Sequence, residues 1–296
     1  MAKIDLSIII VSYNTKKITE DCLKSINRSL RASKIQYEIV VADNDSKDGS
    51  DELLKKMAGD ESNHLVYFQT GENLGFGKGN NFAVKKARGK YLFLLNSDTV
   101  ILNNSIEKLY NFYLKNEANI HFIGPKLLNR DFTPQPSACR FFSIPVIFAT
   151  LFLRGDYWGL TRFSPMKLQK VDWISGAAIL TKKILYEQLR GFDETIFMYM
   201  EEVDLLYRAS NLGFKTYIYP SAQIVHLGSA SSGGRTFPIL QVYKGFLFFY
   251  KKHYSRLNLT ILKLLLKTKA IIALIIGRIK GNKYLIETYE QAYKIS

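Results

Sequence analysis

The sequence predicts an α/β fold built on a mainly parallel central sheet, and three features point to it. Runs of apolar, often β-branched residues recur at Leu6–Val11, Tyr37–Ala42, Leu65–Phe68 and Tyr91–Leu95, as expected of strands covered on both faces. Segments with helical character separate them. Polar clusters follow the second and fourth runs, at Asp43–Ser50 and Asn96–Asp98. In a parallel sheet those positions fall at the carboxyl ends of strands, where ligand groups converge on one crevice.

Taken in order, the first strand is followed by a helix that Thr15 caps and whose buried face repeats at Ile18, Cys22, Ile26 and Leu30, a four-residue spacing. The turn Asp43–Ser50 leads into a short helix ending near Gly59. A glycine-rich segment, 73–81, precedes a helix through Ala87 that closes at Gly89. Pro125, Pro134, Pro136 and Pro145 are expected to break regular structure, and Phe141–Leu153, thirteen uncharged residues, is too short to span a bilayer. A strand at Trp173–Leu180, a helix from Glu201 to about Leu212 and a strand at Thr216–Tyr219 then complete the globular patterning.

From Leu240 the chain alternates apolar stretches with Lys263, Lys267, Lys269, Arg278, Lys280 and Lys283. Two readings stand side by side: a basic amphipathic helical tail lying on an anionic membrane surface, or a helix hairpin packed on the main body.

Composition narrows the function classes. With 296 residues and 47% hydrophobic content the chain is long enough for a sizeable core. Cys22 and Cys139, the two cysteines, form no CxxC pair and no cluster with histidine, which argues against a zinc module or disulfide scaffold and fits a reducing cytoplasm. The N-terminus reads as a first strand rather than a signal peptide. A net charge of +15 calls for an anionic partner: nucleic acid, an acidic membrane or a phosphorylated substrate. No nucleic-acid-binding module is recognisable, so a basic nucleic-acid-binding protein is the lesser reading.

Six segments, SIIIVSYN, ADNDSKDGS, NLGFGKGNN, LLNSDT, GFDETIFMYMEEVDLLYR and HLGS, occur in the order that family 2 glycosyltransferases show. The likeness covers about residues 4–230 and is nearest to the bacterial rhamnosyltransferase-like members. It implies a GT-A type nucleotide-binding fold over residues 1–235, with a donor half of about 1–124, an acceptor half of about 125–235 and a helical, membrane-associating extension at 236–296. The implied reaction is inverting transfer from a nucleoside-diphosphate sugar, dTDP-rhamnose or a UDP-hexose, to a hydroxyl of a cell-envelope glycan or lipid-linked acceptor. The implied location is peripheral, at the inner face of the cytoplasmic membrane.

The resemblance also assigns residues. Asp98, preceded by Asn96 and Ser97, takes the place of the metal-binding DxD element, with Asn96 standing where the strict pattern has an acid. It would bind Mg²⁺ or Mn²⁺, with His226 as a further ligand. Asp43 matches the nucleobase contact, for uracil or thymine alike, with Ser12, Tyr13 and Asn14 around base and ribose. Asn73, Gly75 and Lys78 would line the donor site. Glu202, in Glu201-Glu202-Val203-Asp204, matches the general base, with Glu201 as the fallback, while Asp204 and Arg208, one turn apart, form a helical pair. Asn96, and glutamate at 202 where the family usually has aspartate, keep open an inactive glycosyltransferase-like scaffold at the membrane.

Overall fold

A computed structural model describes residues 4–228 and 236–296. Ser229 of the HLGS segment and the domain boundary expected near 235 lie outside the described residues.

The first half alternates β1 (Leu6–Ser12), α1 (Lys16–Leu30), β2 (Tyr37–Asp43), α2 (Ser50–Ala58), β3 (Leu65–Gln69), α3 (Gly75–Val84) and β4 (Tyr91–Leu95). Its strands lie parallel in the order β3-β2-β1-β4. The two-residue pleat explains why their sequences are apolar throughout. Leu6, Ile8, Ile10, Ile39 and Val41 face one core with α1, whereas Ile9, Val40, Leu92 and Leu94 face the other with α3.

The second half carries β5 (Thr99–Ile101), α4 (Ser105–Asn116), β6 (Phe122–Leu128), β7 (Ala138–Cys139), α5 (Ile144–Phe152), β8 (Arg162–Phe163), β9 (Gln169–Val171), β10 (Trp173–Ile174), β11 (Ala178–Lys182), α6 (Lys183–Gln188), α7 (Glu201–Asn211) and β12 (Thr216–His226). The sheet continues β4-β11-β6-β12-β5, with β9 also on β12, to nine strands. Here directions mix: β11 is antiparallel to β4 and β6, and β12 is parallel to β6 but antiparallel to β5 and β9. A second, three-stranded sheet runs β10-β7-β8.

Four local expectations need correction. Pro125 lies inside β6, opposite Tyr219, and the β12 register shifts between Tyr219 and Gln223; an irregularity at that point accommodates a residue with no N–H to donate. Pro145 starts α5 rather than breaking it, since proline suits the first turn of a helix. The glycine segment is itself the start of α3, which ends at Val84 rather than Ala87. The stretch Trp173–Leu180 is two strands in different sheets, parted at Ser175–Ala177.

The tail is three helices, α8 (Thr236–His253), α9 (Arg256–Ile279) and α10 (Lys283–Ile295). Tyr243, Phe246, Phe249 and Tyr250 of α8 enter the same core as Trp173 and Val203, so α8 follows the packed reading.

Candidate active site

The polar residues after β4 meet the end of β12 because β5 and β12 pair antiparallel, bringing His226 opposite Thr99. The Leu227 amide donates to the Asp98 carbonyl at 2.9 Å and ties the two segments together. Across this junction His226 Nε2 lies 3.3 Å from Asp98 Oδ1 and 3.3 Å from Asn96 Nδ2.

The imidazole is held from behind. Gln135 Nε2 donates to Asn129 Oδ1 and to the His226 carbonyl, so its Oε1 is the atom that faces His226 Nδ1, at 2.8 Å. In the neutral ring Nδ1 therefore carries the proton, and Nε2 accepts from Asn96 Nδ2 with its lone pair beside the Asp98 carboxylate. Asn96 Oδ1 is buried with no hydrogen-bond partner. A carboxylate oxygen, an imidazole lone pair and an orphaned amide oxygen, with an outer partner orienting the ring, suit a divalent cation. Among the described residues no three His, Cys, Asp or Glu side chains gather at one point. A cation on Asp98 and His226 would thus complete its shell from amide, water or phosphate oxygens.

Facing this corner is the N-terminus of α7. Tyr199 and Met200 take left-handed conformations, φ 67° and 78°, turning the chain sharply so that Glu201 and Glu202 open the helix. Glu201 is buried, and its Oε2 has no partner. Burial pushes its carboxyl well above the ordinary range, and the neighbouring Glu202 adds to this. Glu202 is also raised by burial, against backbone amides, its own and that of Gly176, and the Arg162 charge, which favour the ionised form. Its Oε1 accepts from the Gly176 amide at 3.4 Å. A side chain at Gly176 would press on Glu202 and Phe76.

One cavity of about 240 Å³ unites Asn96, Ser97, Asp98 and His226 on one wall with Glu201, Glu202 and Arg162 on the other. Arg162 was invisible in the sequence, since it sits in β8 within an irregular stretch that carries no motif. Its Nε is buried without a partner, and its guanidinium lies 6.0 Å from the Trp173 ring centre. Burial opposes its charge, but Cys139, Asp156 and Glu202 more than offset that. Gln135 was missed as well, because only the β6–β12 pairing brings it behind His226.

The remaining sequence-predicted residues stand at the same edge of the sheet but outside this cavity. Ser12 and Asp43 are opposite each other at the carboxyl ends of β1 and β2. Asp43 accepts from the Ser46 amide at 2.9 Å and hydroxyl at 2.6 Å, and burial raises its carboxyl. Ser12 Oγ lies 3.2 Å from Thr19 Oγ1 inside the fold. Asn14 accepts from the Lys47 amide at 2.7 Å and so joins the first two βα turns. Tyr13 is half-buried.

Asn73 Oδ1 accepts from the Gly75 amide at 3.0 Å. Gly75, at φ 75°, packs so tightly on Phe197 that a Cβ would lie 2.2 Å from its carbonyl oxygen. Lys78 is half-buried, and its Nζ lies 3.5 Å from Glu72. The Phe197 carbonyl anchors α3 by accepting from the Phe76 amide at 3.0 Å, and Met198 and Tyr199 line the cavity.

Asp204 and Arg208 pair as expected, at 2.8 Å. Lys252 and His253 of α8 also reach Asp204, each at 2.7 Å. Lys252 bonds Asp193 at 2.7 Å too.

The comparisons with known proteins give the family and the fold. The chain is 31% identical over 209 residues to the low-salt glycan biosynthesis hexosyltransferase Agl10 of Haloferax volcanii, covering 69% of this chain and 61% of that enzyme. It is 26% identical over 247 residues to the N-acetylglucosaminyl-diphospho-decaprenol L-rhamnosyltransferase of Mycobacterium tuberculosis, covering 77% and 78%. Its fold resembles that of the mannosyltransferase PcManGT of Pyrobaculum calidifontis, solved with GDP-Man and Mn²⁺, with a TM-score of 0.61 at 14% identity, covering 99% and 74%. The architecture is the GT-A type. Residues 7–175, more than half of the chain, match Glycosyl transferase family 2, and the chain belongs to that family.

Proposed function

We propose that the protein is an inverting glycosyltransferase that moves a sugar from a dTDP- or UDP-sugar to a hydroxyl of a cell-envelope glycan or lipid-linked acceptor. The observation that carries this reading is the single cavity with Asp98 and His226 on one wall and the raised acid pair on the other. The first wall suits a leaving diphosphate and the second an incoming hydroxyl.

Glu202 is the base. The Gly176 amide holds Oε1, leaving Oε2 to accept the acceptor's proton, and a carboxyl raised toward neutrality suits that transfer. The deprotonated hydroxyl attacks the anomeric carbon from the side opposite the diphosphate, so configuration inverts. Arg162 favours the ionised Glu202 carboxylate against the cost of its burial. Asp98 and His226, with Asn96 and Ser97 beside them, would hold Mg²⁺ or Mn²⁺, which would supply neutralising charge for a departing diphosphate. Asp43 takes the uracil or thymine edge. Its two oxygens offer about four acceptor sites, of which Ser46 occupies two. Ser12, Tyr13 and Asn14 surround base and ribose, and Asn73, Gly75 and Lys78 flank the donor.

The likeness to a diphospho-decaprenol rhamnosyltransferase favours dTDP-rhamnose and a lipid-linked acceptor, hence work at the inner face of the cytoplasmic membrane. Residues 1–124 form the donor half, 125–235 the acceptor half and 236–296 the helical extension.

A thermal-unfolding screen of UDP-, dTDP- and GDP-sugars with and without Mn²⁺ tests this, because a ligand of the folded state raises the midpoint. Metal-dependent stabilisation by a UDP- or dTDP-sugar is expected. Stabilisation by none of the three would overturn the reading.

A further inference from the structure

The outer face of α9 is unlike the rest of the surface. Its inner stripe, Leu262, Leu266, Ala270, Ala273 and Gly277, is buried. Diametrically opposite, Leu257, Leu264, Ile271, Ile275 and Ile279 project into solvent, with Leu257 69% and Ile279 80% exposed. At about 3.6 residues per turn these five side chains fall within roughly 80° of the circumference. The solvent side of the helix is thus its more aliphatic side, the reverse of an ordinary surface helix.

Charge follows the same geometry. Arg256, Lys263, Lys267 and Arg278 run along one flank of the apolar stripe, and α9 contains no Asp or Glu. Alongside, α5 is uncharged from Ile144 to Phe152 and touches α9 where Lys269 lies 6.0 Å from the Phe152 ring. The chain then exposes Tyr157 (76%) and Trp158 (68%), rings suited to a boundary between water and hydrocarbon. Four residues later it reaches Arg162 in the cavity wall. Among the described residues no helix is long and apolar enough to cross a membrane.

We propose that this face is where the protein lies on an anionic bilayer, with the aliphatic stripe of α9 at the acyl boundary and the basic flank among the lipid phosphates. An aliphatic stripe edged with cations and free of acids is the pattern of a helix in the membrane interface. Self-association through this face would bring the basic flanks of two +15 chains together with no α9 carboxylate to pair them. The surface is distinct from the catalytic cavity, and vesicle binding needs neither donor nor acceptor, so its outcome is independent of the reaction proposed above.

The test is cosedimentation of the full chain with phosphatidylcholine vesicles containing about one third phosphatidylglycerol. Two triple variants are compared, Ile271→Gln/Ile275→Gln/Ile279→Gln and Lys263→Gln/Lys267→Gln/Arg278→Gln, with circular dichroism as the folding check. The native chain is expected to bind, less in high salt. The cation variant should lose on the order of a hundredfold in affinity, from about fivefold per basic residue, and the apolar variant at least as much. If the apolar variant does not fold, the cation variant alone decides. A native chain that ignores these vesicles at low salt, or folded variants that bind like it, overturns the proposal. So does light scattering that finds a native dimer and a monomeric apolar variant.

Discussion

His226 Nε2 and Asp98 Oδ1 face each other at 3.3 Å with the His226 proton held on the far nitrogen by Gln135. Two electron-rich atoms brought this close in a mostly buried corner leave a place for positive charge between them. The arrangement persists because the β5–β12 ladder and the Leu227 amide fix both backbones.

Asp98→Ala is therefore expected to lower turnover by about a thousandfold or more, since charge stabilisation by such a cation amounts to several kcal/mol. Metal-dependent donor stabilisation in thermal unfolding should vanish with it. Gln135→Leu should weaken the metal response less, by roughly 10- to 100-fold, through loss of the outer partner that orients the ring. A normal Mn²⁺ titration in Asp98→Ala would remove Asp98 as a ligand.

Arg162 bears on the ionisation of Glu202. Arg162→Met should move the acidic limb of the pH–rate profile upward, because the base then titrates at higher pH, while Arg162→Lys should restore part of the original profile. An unmoved limb in Arg162→Met, with turnover intact, would confine Arg162 to packing against Trp173.

What the sequence disclosed and what it hid follow from range. The four parallel strands and their helices are set by local periodicity, and Leu6–Val11 or Tyr91–Leu95 can be read without knowing their neighbours. Asn96, Asp98, Glu202 and His226 were legible because their motifs are short and fall at element ends. Arg162 and Gln135 were not, for the fold alone brings Arg162 into the cavity wall and Gln135 behind His226. Pro125 misled because its cost is absorbed by an irregularity on β12, a partner that local reading cannot see. The tail was ambiguous for a physical reason: α8 turns its aromatic residues inward, whereas α9 carries apolar residues on both sides.

Asp204 links the α7 helix to α8. Burial alone would raise its carboxyl, but His253, Lys252 and Arg208 override this and hold it at about 2. Because the folded value lies below the ordinary aspartate value of 3.8, the stability it contributes is present above about pH 4 and is lost as pH falls toward about 2. That contribution is on the order of 2 kcal/mol. Asp204→Asn should lower the unfolding free energy near neutrality by about 3–5 kcal/mol, since it strands buried cations, and should flatten the acid limb of the stability profile. A native acid limb in the variant would show that other carboxylates carry it. Truncation before Thr236 should abolish folding for the related reason that Phe246, Phe249 and Tyr250 leave the core.

Glu201 and Glu202 stand side by side with similar chemistry, but their surroundings differ enough to separate them by experiment. Glu202 has one oxygen fixed by the Gly176 amide, and Gln at this position preserves size while removing the base. Glu202→Gln should lower kcat on the order of 10²–10⁴-fold, with donor-induced stabilisation nearly unchanged because Asp43 and the Asp98 corner are untouched. Glu201 buries an oxygen without a partner, and its folded carboxyl is raised well above the ordinary value. A group raised in this way favours folding most at low pH and progressively less as pH climbs from its unfolded value through its folded one. Glu201→Gln should consequently raise the unfolding midpoint at about pH 8 relative to the native chain, with little change at about pH 4, where the native carboxyl also retains its proton. If Glu202→Gln turns over normally while Glu201→Gln is inactive, the base is Glu201. If both variants turn over normally, neither acid accepts the proton and the inverting mechanism proposed for this cavity fails.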